Sequence, residues 1–368
     1  MTSLSHREVI GIVEQSVIGT FVTPVMMIPV TSFSAEEIFE HIVDNGRRGV
    51  DSLDFRAAQG VKRFNISFEG NLQFNPGSTT IGGSAVGKLL RSIFGSGTVT
   101  PVRMIDGSAA TDDTHNSDFQ LGTSKEYFSI EHNAQLSGSK ARQFSGCRVQ
   151  ELTISWNAGE GALTFSCNMV GREMALAAGT DLTAQVATIE APIQGWRVNV
   201  AFNAAIAHNT PNFTRLISAE WRLARTLTPI YSGQQTQLYQ DIYAGPLEAT
   251  VAMVLDYTVD TDLALFRAGT QVPIVNKFKI GTNSSAKSLR RFYIASELVS
   301  LLEAPAVIDS SAENLTLAIS GRCLYSTGTS VITSSGESDE AGDAAFGPTP
   351  ASPIAARLTD ERVAASTY

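Results

Sequence analysis

The chain has 368 residues, 43% hydrophobic and 17% charged, enough apolar material for one large core or two ordinary ones. Its formal net charge of −9 excludes a nucleic-acid grip, because that needs clustered Lys and Arg to displace counterions from phosphates. Cys147, Cys167 and Cys323 are too scattered for a disulfide framework or a zinc site and read as small core residues. No apolar run approaches the ~20 residues of a membrane helix, and MTSLSHREVIGIVEQ at the N-terminus is no secretion signal.

Taken in order, residues 1–34 read as an extended arm punctuated by Gly19, Pro24 and Pro29. SAEEIFEHIVDNG then suggests a short helix, with Ser34 as N-cap, Glu37 three residues on, and Ile38, Phe39, Ile42 and Val43 on one side. From Arg63 to Asn75 the pattern changes to a period of two. Phe64, Ile66, Phe68, Leu72 and Phe74 alternate with Asn65, Ser67, Glu69, Asn71, Gln73 and Asn75, the row broken only by Gly70. That is a long strand with one buried and one wet face.

AVGKLLRSIFG (85–95) returns to helical spacing, with Gly95 as C-cap. Residues 103–124 are polar and loop-like, and loops this long are usually functional or interfacial. Strands are expected over Glu126–His132, Arg148–Trp156 and Ala162–Val170, with NAGEG (157–161) as a hairpin turn. Ala175–Thr188 is a small-residue linker. The tail, 327–368, is rich in Ser, Thr, Gly, Ala and Pro, a composition of disorder; if ordered, it is expected to be pinned by neighbouring subunits.

The second half echoes the first. LTFSCNMVGR (163–172) matches LTLAISGR (315–322), and RVQELTISW (148–156) matches IASELVSLL (294–302) with Glu151 against Glu297. The strand that starts at Phe64 matches GPLEATVAMVL (245–255), which sets Phe64 against Gly245. Helix 85–95 matches TDLALFRAG (261–269). Four motifs in the same order imply a tandem duplication. The division is an N-terminal arm and helix (1–60), a first repeat (61–185), a second (186–326) and a C-terminal arm (327–368).

No catalytic constellation emerges. Asp112, Asp113, His115 and Asp118 cluster, but their spacing fits no metal loop and reads as a solvated loop. Gly82-Gly83 lacks the Lys-Ser/Thr of a phosphate loop. Trp156, Trp196 and Trp221 read as core or interface anchors. A carbohydrate-binding or hydrolytic β-module would need an aromatic platform or a carboxylate pair, and neither is visible. No cofactor is implied.

FEGNLQFNPGS…GGSAVGKLLRSIFGSG, the YFSIEH strand, SGCRVQELTISW and WRLARTLTPIYSGQQTQLYQDIYAGPLEATVAMVLDY resemble the tail tube proteins of long-tailed, siphovirus-like bacteriophages, over roughly 60–325. The resemblance implies a mainly β protein: two tandem β-sandwich/barrel repeats with short flanking helices on the outer face. Their strands would join those of other copies in a closed β-barrel. It further implies stacked rings forming the virion tail tube, with DNA passing through the lumen, and a tape measure protein and tail terminator as partners. Two copies of the fold per chain would give a trimeric ring with pseudo-six-fold symmetry. A baseplate hub, a tail terminator or the tube of a contractile injection device is the alternative. An acidic chain suits a DNA conduit because like charge prevents adsorption. The expected lumen-lining residues are Ser67, Glu69, Asn71, Gln73, Glu248, Thr250 and Asp256. Asp106, Asp112, Asp113, His115 and Asp118 are expected in an inter-ring loop.

Overall fold

The computed structural model describes residues 8–44, 56–73, 85–95, 97–101, 114–133, 140–159, 161–180, 182, 192–203, 206–207, 213–233, 236–280, 290–304, 306–309, 314–326, 332–333 and 352–361. In the first half the elements are β1 (Val9–Gln15), β2 (Met26–Ile28), β3 (Ser32–Asp44), β4 (Arg56–Asn71), α1 (Ala85–Phe94), β5 (Gly97–Pro101), β6 (Thr114–Phe119), β7 (Tyr127–Asn133), β8 (Ala141–Asn157), β9 (Thr164–Gly171) and β10 (Glu173–Ala177). Then follow β11 (Val198–Phe202), β12 (Ile206–Ala207), β13 (Leu216–Ile230), β14 (Asp241–Asp256), α2 (Thr261–Arg267), β15 (Val272–Ile280), β16 (Arg290–Glu303), β17 (Ala306–Asp309), β18 (Asn314–Cys323), β19 (Ile332–Thr333) and β20 (Ala355–Glu361).

The alternation at Phe64 produces the expected strand. Phe64, Ile66 and Phe68 are buried in β4, while Asn65, Ser67 and Glu69 are exposed. Gly70 interrupts the apolar row because the chain before β3 crosses there: a Cβ at Gly70 would lie 2.4 Å from the Pro29 carbonyl oxygen. Residues 34–44, expected to be helical, are instead strand β3, paired with β4 from Ser32↔Glu69 to Asp44↔Arg56. A helix this short is marginal on its own, and the backbone edge of β4 offers every second residue a hydrogen-bonding partner. The adjacent pairs Ile38-Phe39 and Ile42-Val43 fit a strand as well as a helix.

One open sheet runs β3–β4–β9–β8–β13–β14–β18, and beyond β18 lie the end of β16 and then β17. The long strands β8 and β16 leave it to enter a second layer. There the first half of β8 pairs with β7 and β10, and β7 with β1. The first half of β16 pairs with β15 and β20, and β15 with β11.

The pairing β3–β4–β9–β8–β7–β1 is thus followed by β13–β14–β18–β16–β15–β11 in the same senses, down to the bulges. The β3–β4 shift (Phe39↔Lys62 to His41↔Gln59) recurs in β13–β14 as Arg225↔Leu247 to Leu227↔Ala244. The β8–β9 shift at Val149/Glu151 recurs in β16–β18 at Leu301/Glu303, and the β7–β8 shift at Phe128/Ile130 recurs in β15–β16 at Val272/Ile274. These registers set Phe64 against Ala249 rather than Gly245, and Glu151 against Glu303 rather than Glu297. The motif match paired β9 with β18 in the register the bulges give, Leu163 against Leu315, but set the other two strand pairs four and six residues out.

The two layers close over a continuous apolar core. Phe33 stacks on His132 with ring centroids 4.7 Å apart, and Phe64 meets Phe144 edge-on at 5.7 Å. Helix α1, expected on the outer face, lies within this core, with Leu89, Leu90, Ile93 and Phe94 inaccessible to solvent. It packs on β8, β2, β6 and β13. Its end is capped from the other half of the chain: buried Arg225 of β13 donates to the carbonyls of Ile93 (2.6 Å), Phe94 (2.9 Å) and Gly245 (3.3 Å). Helix α2 has only Asp262 buried.

Two further expectations are corrected. Residues 114–119 are not free loop but strand β6, paired with β5 and β20. The C-terminal arm, disordered by composition, holds a strand that pairs within its own chain. Its β20 sits between β16 and β6, in the place that β10 takes beside β8, with Ile354, Ala355, Ala356 and Leu358 fully buried. The low-complexity flanks hide an ordinary apolar strand.

Candidate functional site

The sheet β3–β4–β9–β8–β13–β14–β18 buries one face and leaves the other wet along its whole width. On β4, Ser67 and Glu69 are exposed and Asn71 half-buried; on β14, Glu248 is exposed and Thr250 and Asp256 half-buried. The register joins these two groups through the strands between them. Ser67 faces Asn168, Glu69 faces Ser166 and Asn71 faces Thr164. Thr153 faces Ser166 and Arg222, and Arg222 faces Thr250. Asp256 ends the series opposite Thr316. Six of the seven expected lining residues therefore share one polar surface. Gln73 does not belong to it, because β4 ends at Asn71 and Gln73 is half-buried beyond it.

Sequence reading missed most of this surface: Ser34 and Glu36 on β3, Thr164, Ser166 and Asn168 on β9, Glu151, Thr153 and Ser155 on β8, Glu220 and Arg222 on β13. The signal was present. Leu163, Phe165, Cys167 and Met169 alternate with the β9 residues, and Leu152, Ile154 and Trp156 with those of β8, as Phe64–Phe68 do with theirs.

The surface is acidic and otherwise small and uncharged. Glu36, Glu69, Glu151, Glu220, Glu248, Asp256 and Glu303 stand against Arg63, Arg222 and Arg322, so carboxylates outnumber cations more than two to one. Arg222 is tied to Glu151 across the β8–β13 junction, which holds its guanidinium more firmly charged. Arg322 lies 3.8 Å from Glu248 with both side chains more than half exposed, a contact worth little. A groove of about 540 Å³ lies along the sheet, bordered by Ser155, Thr164, Glu220, Ala252, Ser320 and Glu303 from successive strands.

The other candidate residues divide. Asp106, Asp112 and Asp113 lie outside the described residues. His115 and Asp118 are on β6, and Asp118 accepts a two-pronged hydrogen bond from Arg357 of β20 (2.5 and 2.8 Å). Of the tryptophans, Trp156 is buried edge-on to Phe278, and Trp221 is buried with its indole N–H donated to Asn276 (2.7 Å), but Trp196 is 64% exposed. Burial drives the thiols of Cys147, Cys167 and Cys323 well above the ordinary range. Among the described residues, no group of three or more His, Cys, Asp or Glu could hold a metal ion, and no helix is long and apolar enough to cross a membrane.

A wide sheet with one continuous polar face, paired edge to edge across its own two halves, defines a β-rich protein. The chain belongs to the phage tail tube protein family, whose profile matches residues 5–323. It is a structural component of the virion tail that assembles into the tail tube. No curated protein shows significant similarity to it.

Proposed function

We propose that the chain carries two copies of the tube fold and closes with two others into a ring of pseudo-six-fold symmetry, as in siphovirus-like tails. The recurring pairing order and its recurring bulges support the duplication. The wet face of β3, β4, β9, β8, β13, β14 and β18 lines the channel, and rings stack through the arms and the segment that includes Asp106, Asp112 and Asp113. DNA moves along the acidic face without adsorbing. Before ejection the tape measure protein fills the lumen, and the tail terminator closes the tube end.

The observation that carries this reading is the polar face itself. A one-residue slip of register would put Phe68 or Met253 into water, at about 1.5–3 kcal/mol for each large side chain exposed. The test is Glu69→Lys. The side chain is solvated, so tubes form as in the wild type by electron microscopy. Every subunit then contributes a lysine to the channel in place of a carboxylate, and DNA ejection slows. Wild-type ejection rates from particles with normal Glu69→Lys tubes would overturn the lumen assignment.

A further inference from the structure

The open sheet has two ends, and one seam inside the chain shows how such ends can meet. At that seam β13 lies antiparallel on the end of β8, from Glu151↔Ala224 to Asn157↔Ser218. In the recurring registers Phe39 of β3 holds the place of Arg225 of β13, and Glu303 holds the place of Glu151, so Glu303 and residues 306–309 stand where Glu151 and residues 154–157 do. Among the described residues, β3 pairs only with β4, and β17 only with β18. Each end is therefore the half of a seam whose other half is at the far side of the same molecule.

Exposed apolar side chains mark both ends: Ile42 and Val43 on β3 (59% and 44%) and Leu302 at the β16 bulge (56%). Leu302 corresponds to Gln150, which borders a small groove with Ala224, Arg225 and Thr226. The residues of β3 that would border Leu302 are accordingly Ile38, Phe39 and Glu40.

We infer that copies of this chain join by antiparallel pairing of β3 of one copy with residues 303–309 of the next, in the register that β13 takes on β8: Ile38 opposite Glu303, Glu37 opposite Ala304. The inference rests on the tube reading and adds the mating edges and their register to it. It also distinguishes the two kinds of seam chemically. The in-chain seam is bridged by Arg222 and Glu151. The equivalent positions between copies are Glu36 and Glu303, both exposed carboxylates on the polar face. Like charges across neighbouring strands oppose pairing, so the seam between copies is the weaker one and tightens as salt screens it.

The test uses the full chain with cysteine pairs, since the three native cysteines are buried. Ala224→Cys with Glu151→Cys calibrates the geometry by closing a disulfide within the chain. Ile38→Cys with Glu303→Cys then links chains to one another in assembled tubes on oxidation. Ile38→Cys with Ala304→Cys, one residue out of register and on opposite faces, leaves them unlinked. Tubes that form without the first intermolecular link, or with the second, overturn the register. Failure of the wild-type chain to form tubes overturns the tube reading instead. In a cysteine-free comparison, Glu36→Arg lowers the subunit concentration for half-assembly about two- to fivefold at low salt, with a smaller gain at high salt. An unchanged concentration at both refutes the like-charge seam.

Discussion

Replacing Arg225 with Met isolates the polar tie between the two halves of the chain. The side chain is of similar length, so the volume between β13 and α1 stays filled, while the three donated hydrogen bonds disappear. Among the described residues only Arg225 donates to the Ile93 carbonyl at the end of α1, and an orphaned buried carbonyl costs about 1–3 kcal/mol. The Phe94 carbonyl keeps the Gly122 amide at 2.9 Å, and Gly245 loses only a long bond of 3.3 Å, so these add about 1 kcal/mol together. Against this stands the relief of burying a guanidinium. That burial already lowers the pKa of Arg225, and the neighbouring Arg148 adds to it. The net expectation is a loss of about 2–3 kcal/mol, read from urea unfolding of unassembled subunits by tryptophan fluorescence. Because Arg225 joins β13 to α1, the loss is accompanied by a broader or two-step transition as the halves separate. If Arg225→Met is as stable as the wild type and unfolds as sharply, the capping argument is refuted and desolvation dominates at this site.

Truncation after residue 350 removes β20 and bares the β16 edge from Arg291 to Ala295. Losing the burial of Ile354 and Leu358 alone removes about 3–6 kcal/mol of stabilisation, so soluble yield collapses; a soluble, folded, truncated subunit would show that β20 is accessory. Acid should loosen the β13–β14 hairpin where it docks on the first half. Burial alone would raise the Asp241 carboxyl, but Lys125 (2.6 Å), Tyr127 and the Ile242 amide hold it below the ordinary carboxylate value, while burial and the same contact push Tyr127 up to about 12. A depressed folded pKa means stabilisation that is full above about pH 4 and lost as pH falls through the lower folded value. Melting curves of wild type and Asp241→Asn therefore converge at acid pH, and a gap that is constant with pH would refute this.

What could be read from sequence was whatever showed in one segment by itself. Phe64–Phe68 announce a strand because period two is local, and Val86, Leu89, Leu90 and Ile93 announce α1 for the same reason. Segment 34–44 misled because its capping-box letters and apolar pairs suit a helix, and only the edge of β4, distant in sequence, decides otherwise. Bulges are invisible in composition, and only the pairing moves the counterpart of Phe64 from Gly245 to Ala249. β20 went unseen because four apolar residues sit inside a tract of Ser, Ala and Pro. On the polar face, Ser67, Glu69 and Asn71 were legible from alternation. Their continuity with Glu248, Thr250 and Asp256 depends on β9, β8 and β13 lying between, which only pairing reveals. Gln73 lies beyond β4, because the alternation of the sequence continues past the residue at which the strand ends.

The seam between β8 and β13 is made within one polypeptide, and its two strands are tethered by the segment from Ala158 to Arg215. Its closure is therefore a first-order event governed by an effective concentration rather than by collision. Were each fold a separate chain, every copy would leave both of its edges open to solvent until it met a neighbour. On the proposed reading of two folds per chain, fusion shields one edge of each as soon as the polypeptide has folded and leaves a single complementary pair per molecule. Since unpaired strand edges are what misassemble, a chain built on that proposal carries half the hazard for the same length of wall, and a dilute pool of subunits can wait longer for a growing end.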